Sequence, residues 1–341
     1  MTTNTIHTIL ALLADKKNLP LDTATRAFQI IMNGGATPAQ MAAFVTALRL
    51  KGETVEEITG GAMALRAKCT KFNAPVGAID PCGTGGDAKG TYNISTAVAF
   101  VLAACGVPVA KAGNRAVSSA SGSADVLKAL GVNVDAEPAV MERCIRELNI
   151  AFLLAPKYHP AVRHISPVRQ ELGFRTIFNL LGPISNPANL TYQFMGVYDK
   201  KWLEPLAHAM KELGLKRAWI VHGNDGLDEL TLSGASTVAE LKDGAVHSFE
   251  ITPEEAGLQG ASLDELKGGN AEHNAAALKS AISGMESAYR RSVLYNTAAA
   301  LLVAEKVHSL KEGVAMAAES IDSGDAHKVL MKFVDMSNTK A

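Results

Sequence analysis

Little in this chain of 341 residues points to export, a membrane or a covalent framework. It has only four cysteines, Cys69, Cys82, Cys105 and Cys144, each in an apolar setting. None is spaced C-x-x-C, which indicates neither a zinc site nor a disulfide framework; buried reduced thiols, and hence a cytoplasmic location, are expected. No stretch approaches the ~18 uninterrupted apolar residues of a spanning helix, and the N-terminus lacks a basic segment followed by an apolar one. No membrane association is expected. An excess of one charge is also missing. With 33 Lys+Arg against 34 Asp+Glu the net charge is -1, so no global field draws nucleic acid, and any anion site must be built locally. Internal repeats and low-complexity linkers are absent as well. What remains is 48% hydrophobic and 20% charged, the composition of a globular protein with a full core and one large or two modest domains.

The first 70 residues read as helices only. Ile6, Ile9, Leu10 and Leu13 recur at helical spacing. Asp22 or Thr23 is placed to cap a second helix, which stops at Asn33-Gly34-Gly35. Thr37-Pro38 opens a third that Gly52 ends, and Thr54 with Glu57 forms a capping box for a fourth. Four short helices make too small a core to stand alone, so they are expected to pack on the rest of the chain or on a second copy. After Pro75 strands alternate with helices. Val76–Asp80, Val107–Ala110, Val132–Val134, Ala151–Leu154, Tyr192–Tyr198 and Ala218–His222 read as strands. Ser95–Cys105, Ala124–Leu130, Ala139–Leu148 and Trp202–Leu213 read as helices. Thr237–Leu241 and Val246–Ile251 read as an antiparallel hairpin, and Asn274–Lys332 as helical. The fold class expected is α/β: a small N-terminal all-helical domain beside a larger domain with a mostly parallel central sheet flanked by helices. The division expected is 1–70, with a returning helical segment at about 162–190, and 71–341.

Three loops carry the chemistry. Gly83-Thr84-Gly85-Gly86-Asp87 follows the first strand, and the next helix opens at Asn93-Ile94-Ser95-Thr96. Glycines there let backbone approach a ligand, and a helix N-terminus favours a phosphate. Taken alone, the loop also fits an ordinary strand-to-helix turn; Asp87, Thr91, Asn93, Ser95 and Thr96 crowding it favour a ligand. Lys111-Ala112-Gly113-Asn114-Arg115 follows the second strand and brings two cations and an amide to the same sheet edge, where α/β proteins bind ligands. Ala116, Val117, Ser118, Ser119 and Ser123 continue it with hydroxyls and no large side chain. Asp228-Glu229 follows another strand; such a pair suits Mg2+, although an exposed turn would look the same. Without a cation, a diphosphate beside these two acids would be repelled.

Gly83–Asp87, Asn93–Thr96, Lys111–Ser119, Val168–Pro183 with Ser-Asn-Pro after it, and Gly226–Glu229 together resemble the anthranilate phosphoribosyltransferases. The motifs span nearly the whole chain in order. The resemblance implies transfer of a 5-phosphoribosyl group from phosphoribosyl diphosphate to anthranilate in tryptophan biosynthesis, with Mg2+, by a homodimer formed through the helical domain. It implies that Gly83, Gly86, Asp87, Thr91 and Asn93–Thr96 hold phosphoribosyl diphosphate, with Lys111–Ser119 and Ser123 closing over it. Ser95, Asp228 and Glu229 would carry magnesium. Gly83, Asn114 and Arg169 would meet anthranilate, with Ala155 and His159 along its path to the cleft. Two positions depart from the family: Ala112, where histidine is usual, and Ala120, where lysine or arginine is common. A nucleoside phosphorylase would share the architecture and the first glycine loop but not the Asp228-Glu229 pair. A nucleic-acid-binding relative without catalysis would need a basic face that the charge balance does not offer.

Overall fold

The computed structural model describes residues 5–115, 121–188 and 190–340. Four helices come first: α1 (Ile6–Ala14), α2 (Leu21–Met32), α3 (Pro38–Lys51) and α4 (Val55–Lys68). Then come β1 (Ile79–Gly83), α5 (Ile94–Ala104), β2 (Val109–Gly113), α6 (Ser123–Ala129), α7 (Pro138–Leu148) and β3 (Ile150–Leu154). Three short helices, α8 (Ala155–Tyr158), α9 (Ser166–Leu172) and α10 (Phe178–Ile184), lead to β4 (Tyr192–Gly196), α11 (Leu203–Glu212) and β5 (Arg217–Gly223). The hairpin β6 (Ser236–Lys242) and β7 (Ala245–Ile251) precedes α12 (Ala271–Ala281), α13 (Ala288–Val303), α14 (Leu310–Asp322) and α15 (Asp325–Ser337).

The helical start is built as its caps dictate. Thr37 and Gln40 form a capping box with Pro38 at the first position, and Gly52 ends α3 at φ 90, a conformation open to glycine. Thr54 and Glu57 form a second box, but Glu57 does more. Its buried carboxylate accepts from Leu19 N at 2.9 Å, Thr54 N at 2.9 Å and Lys51 Nζ at 3.0 Å, tying three segments together. The second helix differs from expectation. It starts at Leu21 behind Pro20, and Asp22 falls in its first turn instead of capping it. Proline's fixed φ sets the chain entering the helix, and the Asp22 charge suits the helix dipole there.

One seven-stranded sheet, in the order β3-β2-β1-β4-β5-β6-β7, forms the centre of the molecule. It is parallel from β3 to β5, and β6 runs antiparallel to both neighbours. Side chains alternate across it. Ile79, Phe194, Trp219 and Val221 join a core with α5, α7, α13 and α15. Cys82, Met195, Ala218 and Ile220 join another with the four N-terminal helices, α9, α10 and α11. That period of two is the sheet's own, and it makes the sheet the shared wall of both cores.

Two strand expectations are corrected. Val76 is 97% exposed, and β1 begins only at Ile79. The run therefore shifts forward to include Pro81, Cys82 and Gly83. Val132–Val134 is not a strand: it turns beneath α6, burying Val132 and Val134, while Asn133 N donates to Ser337 Oγ at 3.0 Å. Its apolar residues are held by a helix end instead of a neighbouring strand.

Candidate active site

From β1 the chain runs to β2 and β3 on one side of the sheet, and β4 and β5 build the other side. The crevice beyond the carboxyl ends of β1 and β4 is thus a topological switch point, where open α/β sheets take ligands. Gly83 and Gly196 end these two strands as register partners. Both are pressed against one residue. A Cβ on Gly196 would fall 1.6 Å from the Asp228 carbonyl oxygen, and one on Gly83 would fall 3.1 Å from Asp228 Oδ2. Two missing side chains let the Asp228-Glu229 turn, which follows β5, reach the switch point.

The first loop lies on this acid. Gly85 N donates to Asp228 Oδ2 at 2.8 Å, and Asp228 N donates to Asp87 Oδ2 at 3.4 Å. Gly85 and Gly86 make the turn at φ 65 and 78, which a side chain would resist. The loop ends on α5, where Asn93 makes no side-chain cap; Ile94 N donates to Tyr92 O at 2.9 Å, and the Ser95 N–H faces Glu229. Ile94 and Thr96 are buried, so they offer the cleft backbone only; the Thr96 hydroxyl is buried with no partner among the described residues. Thr91 bridges to Lys267.

Pro81 shapes the gap between β1 and β2. It has no N–H for a ladder, and the two strands pair only at Ile79 and Val109. Side chains fill in. Lys111 Nζ donates to Pro81 O at 2.6 Å and to Ser95 Oγ at 3.1 Å. Asp80 accepts from Ala112 N at 3.2 Å and from Asn186 Nδ2 at 2.8 Å. Burial pushes the Asp80 carboxyl up to about 6, against the pull of Lys111. The buried Lys111 ammonium is in this way aimed at Ser95 and the acid pair. Gly113 admits no side chain, since its Cβ would lie 2.4 Å from both Phe152 and Ser123 Oγ. Asn114 O accepts from Ala124 N at 3.1 Å and from Ser123 Oγ at 3.4 Å. Arg115 turns outward to an exposed ion pair with Asp135 at 3.1 Å. Ala116, Val117, Ser118 and Ser119, with Ala120, lie outside the described residues.

Burial first, and the Asp87 charge second, raises the Asp228 carboxyl. Burial and then Asp228 raises Glu229 well above the usual range, opposed by Lys111 and the Ser95 N–H. Glu229 Oε2 is buried and has no hydrogen-bond partner among the described residues. A crowded, partly unsatisfied set of oxygens asks for a cation. No group of three His, Cys, Asp or Glu able to hold a metal stands together among the described residues. Magnesium needs no such cage: one or two carboxylates, waters and substrate phosphates suffice. Asp228, Glu229 and the Ser95 hydroxyl fit that need.

The residues expected around an aromatic acid lie further out. Arg169, on α9, is half-buried with its guanidinium over the Phe178 ring at 5.4 Å, and no carboxylate pairs with it among the described residues. Ala155 starts α8, and His159 follows its end. Burial favours the neutral ring of His159 and lowers it to about 4, against a hydrogen bond to the Ser185 backbone. Among the described residues, no hydrogen bond or ion pair joins these three to the phosphate loops. Sequence reasoning missed Gly196, Asp80, Asn186 and Arg175. Arg175 stacks over Tyr198 at 4.2 Å and packs on Gly86. A lone acid in the apolar run before Gly83 was the available signal for Asp80; for Gly196 there was none.

Comparison with known proteins covers nearly all of this architecture. Residues 76–327 match the glycosyl transferase family, a/b domain, and residues 7–69 match the glycosyl transferase family, helical bundle domain. The anthranilate phosphoribosyltransferase of Rhodospirillum rubrum is 53% identical over 333 residues, 98% of this chain and 96% of that one. The crystal structure of the Thermus thermophilus anthranilate phosphoribosyltransferase superposes with a TM-score of 0.92 at 42% identity, covering 97% of this chain and 99% of that one. The Saccharomyces cerevisiae enzyme, in complex with PRPP and Mg, superposes at 0.88 with 28% identity, covering 97% of each chain.

Proposed function

The chain belongs to the glycosyl transferase family and, within it, to the anthranilate phosphoribosyltransferases; from that premise we propose that it transfers the 5-phosphoribosyl group of phosphoribosyl diphosphate to the amine of anthranilate, releasing diphosphate. The step belongs to tryptophan biosynthesis. One observation carries the reading: the Glu229 oxygen at the switch point, buried with no hydrogen-bond partner among the described residues, with Lys111, Ser95 and the first glycine loop around it.

The reaction leaves negative charge on the departing diphosphate and positive charge on C1 of the ribose. Asp228, Glu229 and Ser95 would hold magnesium, which when bound would supply positive charge to offset the negative charge of the diphosphate. The chain's own groups do the rest. Gly83, Gly86, Asp87, Thr91 and Asn93–Thr96 seat phosphoribosyl diphosphate on N–H groups and hydroxyls fixed before it binds. Lys111, held by Pro81 O and Ser95 Oγ, adds a charge that needs no reorganisation. Lys111–Asn114 and Ser123 form the facing wall. Gly83 and Asn114 border the acceptor, and Arg169 takes its carboxylate through the planar guanidinium. Ala155 and His159 line its path, where neutral His159 adds no charge. With Ala112 in the second loop, Arg169 and Asn114 carry acceptor recognition. No base is required to start, because the aryl amine already has its lone pair.

A homodimer through the helical bundle and a cytoplasmic location complete the proposal. Leu50, 80% exposed at the end of α3, supports the first, and four free thiols support the second. Anthranilate fluorescence should fall when phosphoribosyl diphosphate and Mg2+ are both present and hold steady when either is omitted. Phosphorolysis of thymidine with no anthranilate consumption would overturn the assignment.

A further inference from the structure

The far end of the first loop is held by a segment that no motif had marked. Tyr92 N donates to Leu266 O, and Gly268 N donates to Gly90 O, both at 2.9 Å, with Thr91 bridging to Lys267 between them. Residues 266–268 thus run beside the loop as a short main-chain clamp. Gly268 fits only because it is bare, since a Cβ would lie 2.7 Å from Asn274 Oδ1 and 2.9 Å from Thr91 O. Asn274, in the first turns of α12, is 2% exposed and uses every polar atom it has. Its oxygen accepts from Gly269 N at 2.7 Å. Its amide donates to Asn93 Oδ1 at 2.9 Å and to Ser121 Oγ at 2.8 Å. Ser121 Oγ in turn donates to Asn93 Oδ1 at 3.3 Å. Tyr289 OH donates to Asn93 O at 3.1 Å, with its ring stacked on Tyr92 at 4.5 Å.

Asn93 stands where the first loop enters α5, and Ser121 stands where the second loop reaches α6. One buried amide therefore joins both phosphate loops at their bases. We propose that Asn274 is a positioning residue that sets the spacing of the two loops, and so determines how well phosphoribosyl diphosphate is held, without touching it. Only a donor of two hydrogens does this. A carboxylate in its place would face Asn93 Oδ1 with an oxygen and drive the two apart.

The proposal rests on the transferase reading, so the wild-type protein is the control. If wild type leaves anthranilate unchanged, that reading fails and the loop question with it. If wild type turns over, Asn274→Ala and the isosteric Asn274→Asp should each raise KM for phosphoribosyl diphosphate about tenfold, the scale of one to two lost net hydrogen bonds. KM for anthranilate should move less than about twofold, a split that a general loss of structure does not give. Ser121→Ala should show a smaller rise, and the Asn274→Asp/Ser121→Ala pair should cost less than the product of the two single effects. Unchanged KM for phosphoribosyl diphosphate, both KM values rising together, or independent effects of the two substitutions would each overturn it. Should Asn274→Ala not fold, Asn274→Asp and Ser121→Ala carry the same comparison.

Discussion

Asp228 and Glu229 are held in a state that favours protons over charge, and that has two opposite consequences. Both carboxyls are raised by burial and by neighbouring acids. A carboxyl with a raised folded-state pKa stabilises the fold below its unfolded value of about 4, and that contribution fades as pH climbs through the folded value. At neutral pH without metal the pair therefore works against folding. Asp228→Asn with Glu229→Gln keeps an acceptor for Gly85 N while removing both charges. The double variant should lose magnesium-dependent turnover, yet melt higher than the metal-free wild type at pH 7.5, by about 2 °C for each kcal/mol regained. The gap should narrow as pH is lowered toward 4, where wild type also sheds the charges. Calorimetry against pH, beside the fluorescence assay, reads both; full activity, or a lower melting temperature at pH 7.5, would refute it. At this scale the sequence was legible in placement, since Lys111, Asp228 and Glu229, each expected after a strand, do meet at one sheet edge. It was silent where a residue matters for what it lacks. Gly196 is needed because the Asp228 carbonyl passes over it, a contact between positions far apart in the chain.

Elements were legible when their limits were local. Thr37-Pro38 and Thr54 with Glu57 open α3 and α4 as their caps predict, and the β6–β7 hairpin turns where expected. They were misread when tertiary contact decided. Val132–Val134 has strand composition, but no neighbouring strand takes it up. The two capping boxes look alike in sequence and differ in depth. Gln40 is half-buried, and its side chain accepts from Thr37 N and meets the His7 ring at 3.2 Å. The Glu57 side chain is fully buried, and that of its partner Lys51 is only 5% exposed. Gln40→Ala should cost about 1 kcal/mol or less, the usual worth of an exposed cap. Glu57→Ala takes the counter-charge from the Lys51 ammonium, which keeps only Asn18 Oδ1 and Gly52 O, and leaves two N–H groups without their acceptor, so about 3 kcal/mol is expected. Urea unfolding followed by circular dichroism would compare them; equal shifts would mean that Glu57 is only a cap.

The whole molecule is divided in sequence and joined in structure. Two family descriptions meet between residues 69 and 76, and near Pro75 helices alone give way to alternating strands and helices. Yet the N-terminal helices share their core with α9, α10 and α11 and with one face of the sheet. Arg66, from α4, donates to Ile184 O at 3.1 Å, and Arg49, from α3, donates to the Arg175 carbonyl. The central strands β1, β4, β5 and β6 present residues to both cores, while β2 and β3 face only the core with α5, so neither core can be lost without exposing the back of the other at the middle of the sheet. The fold should therefore unfold as one unit despite its length. The two tryptophans report the two sides: Trp202 lies in the core with the helical bundle and Trp219 in the core with α5 and α13. Trp202→Phe and Trp219→Phe each leave one reporter. In each variant the fluorescence transition in urea should coincide with the loss of helical circular dichroism, as a cooperative transition requires. An early Trp202 signal, in the variant lacking Trp219, would mean that the bundle side comes apart first and that the sheet does not bind the two cores into one.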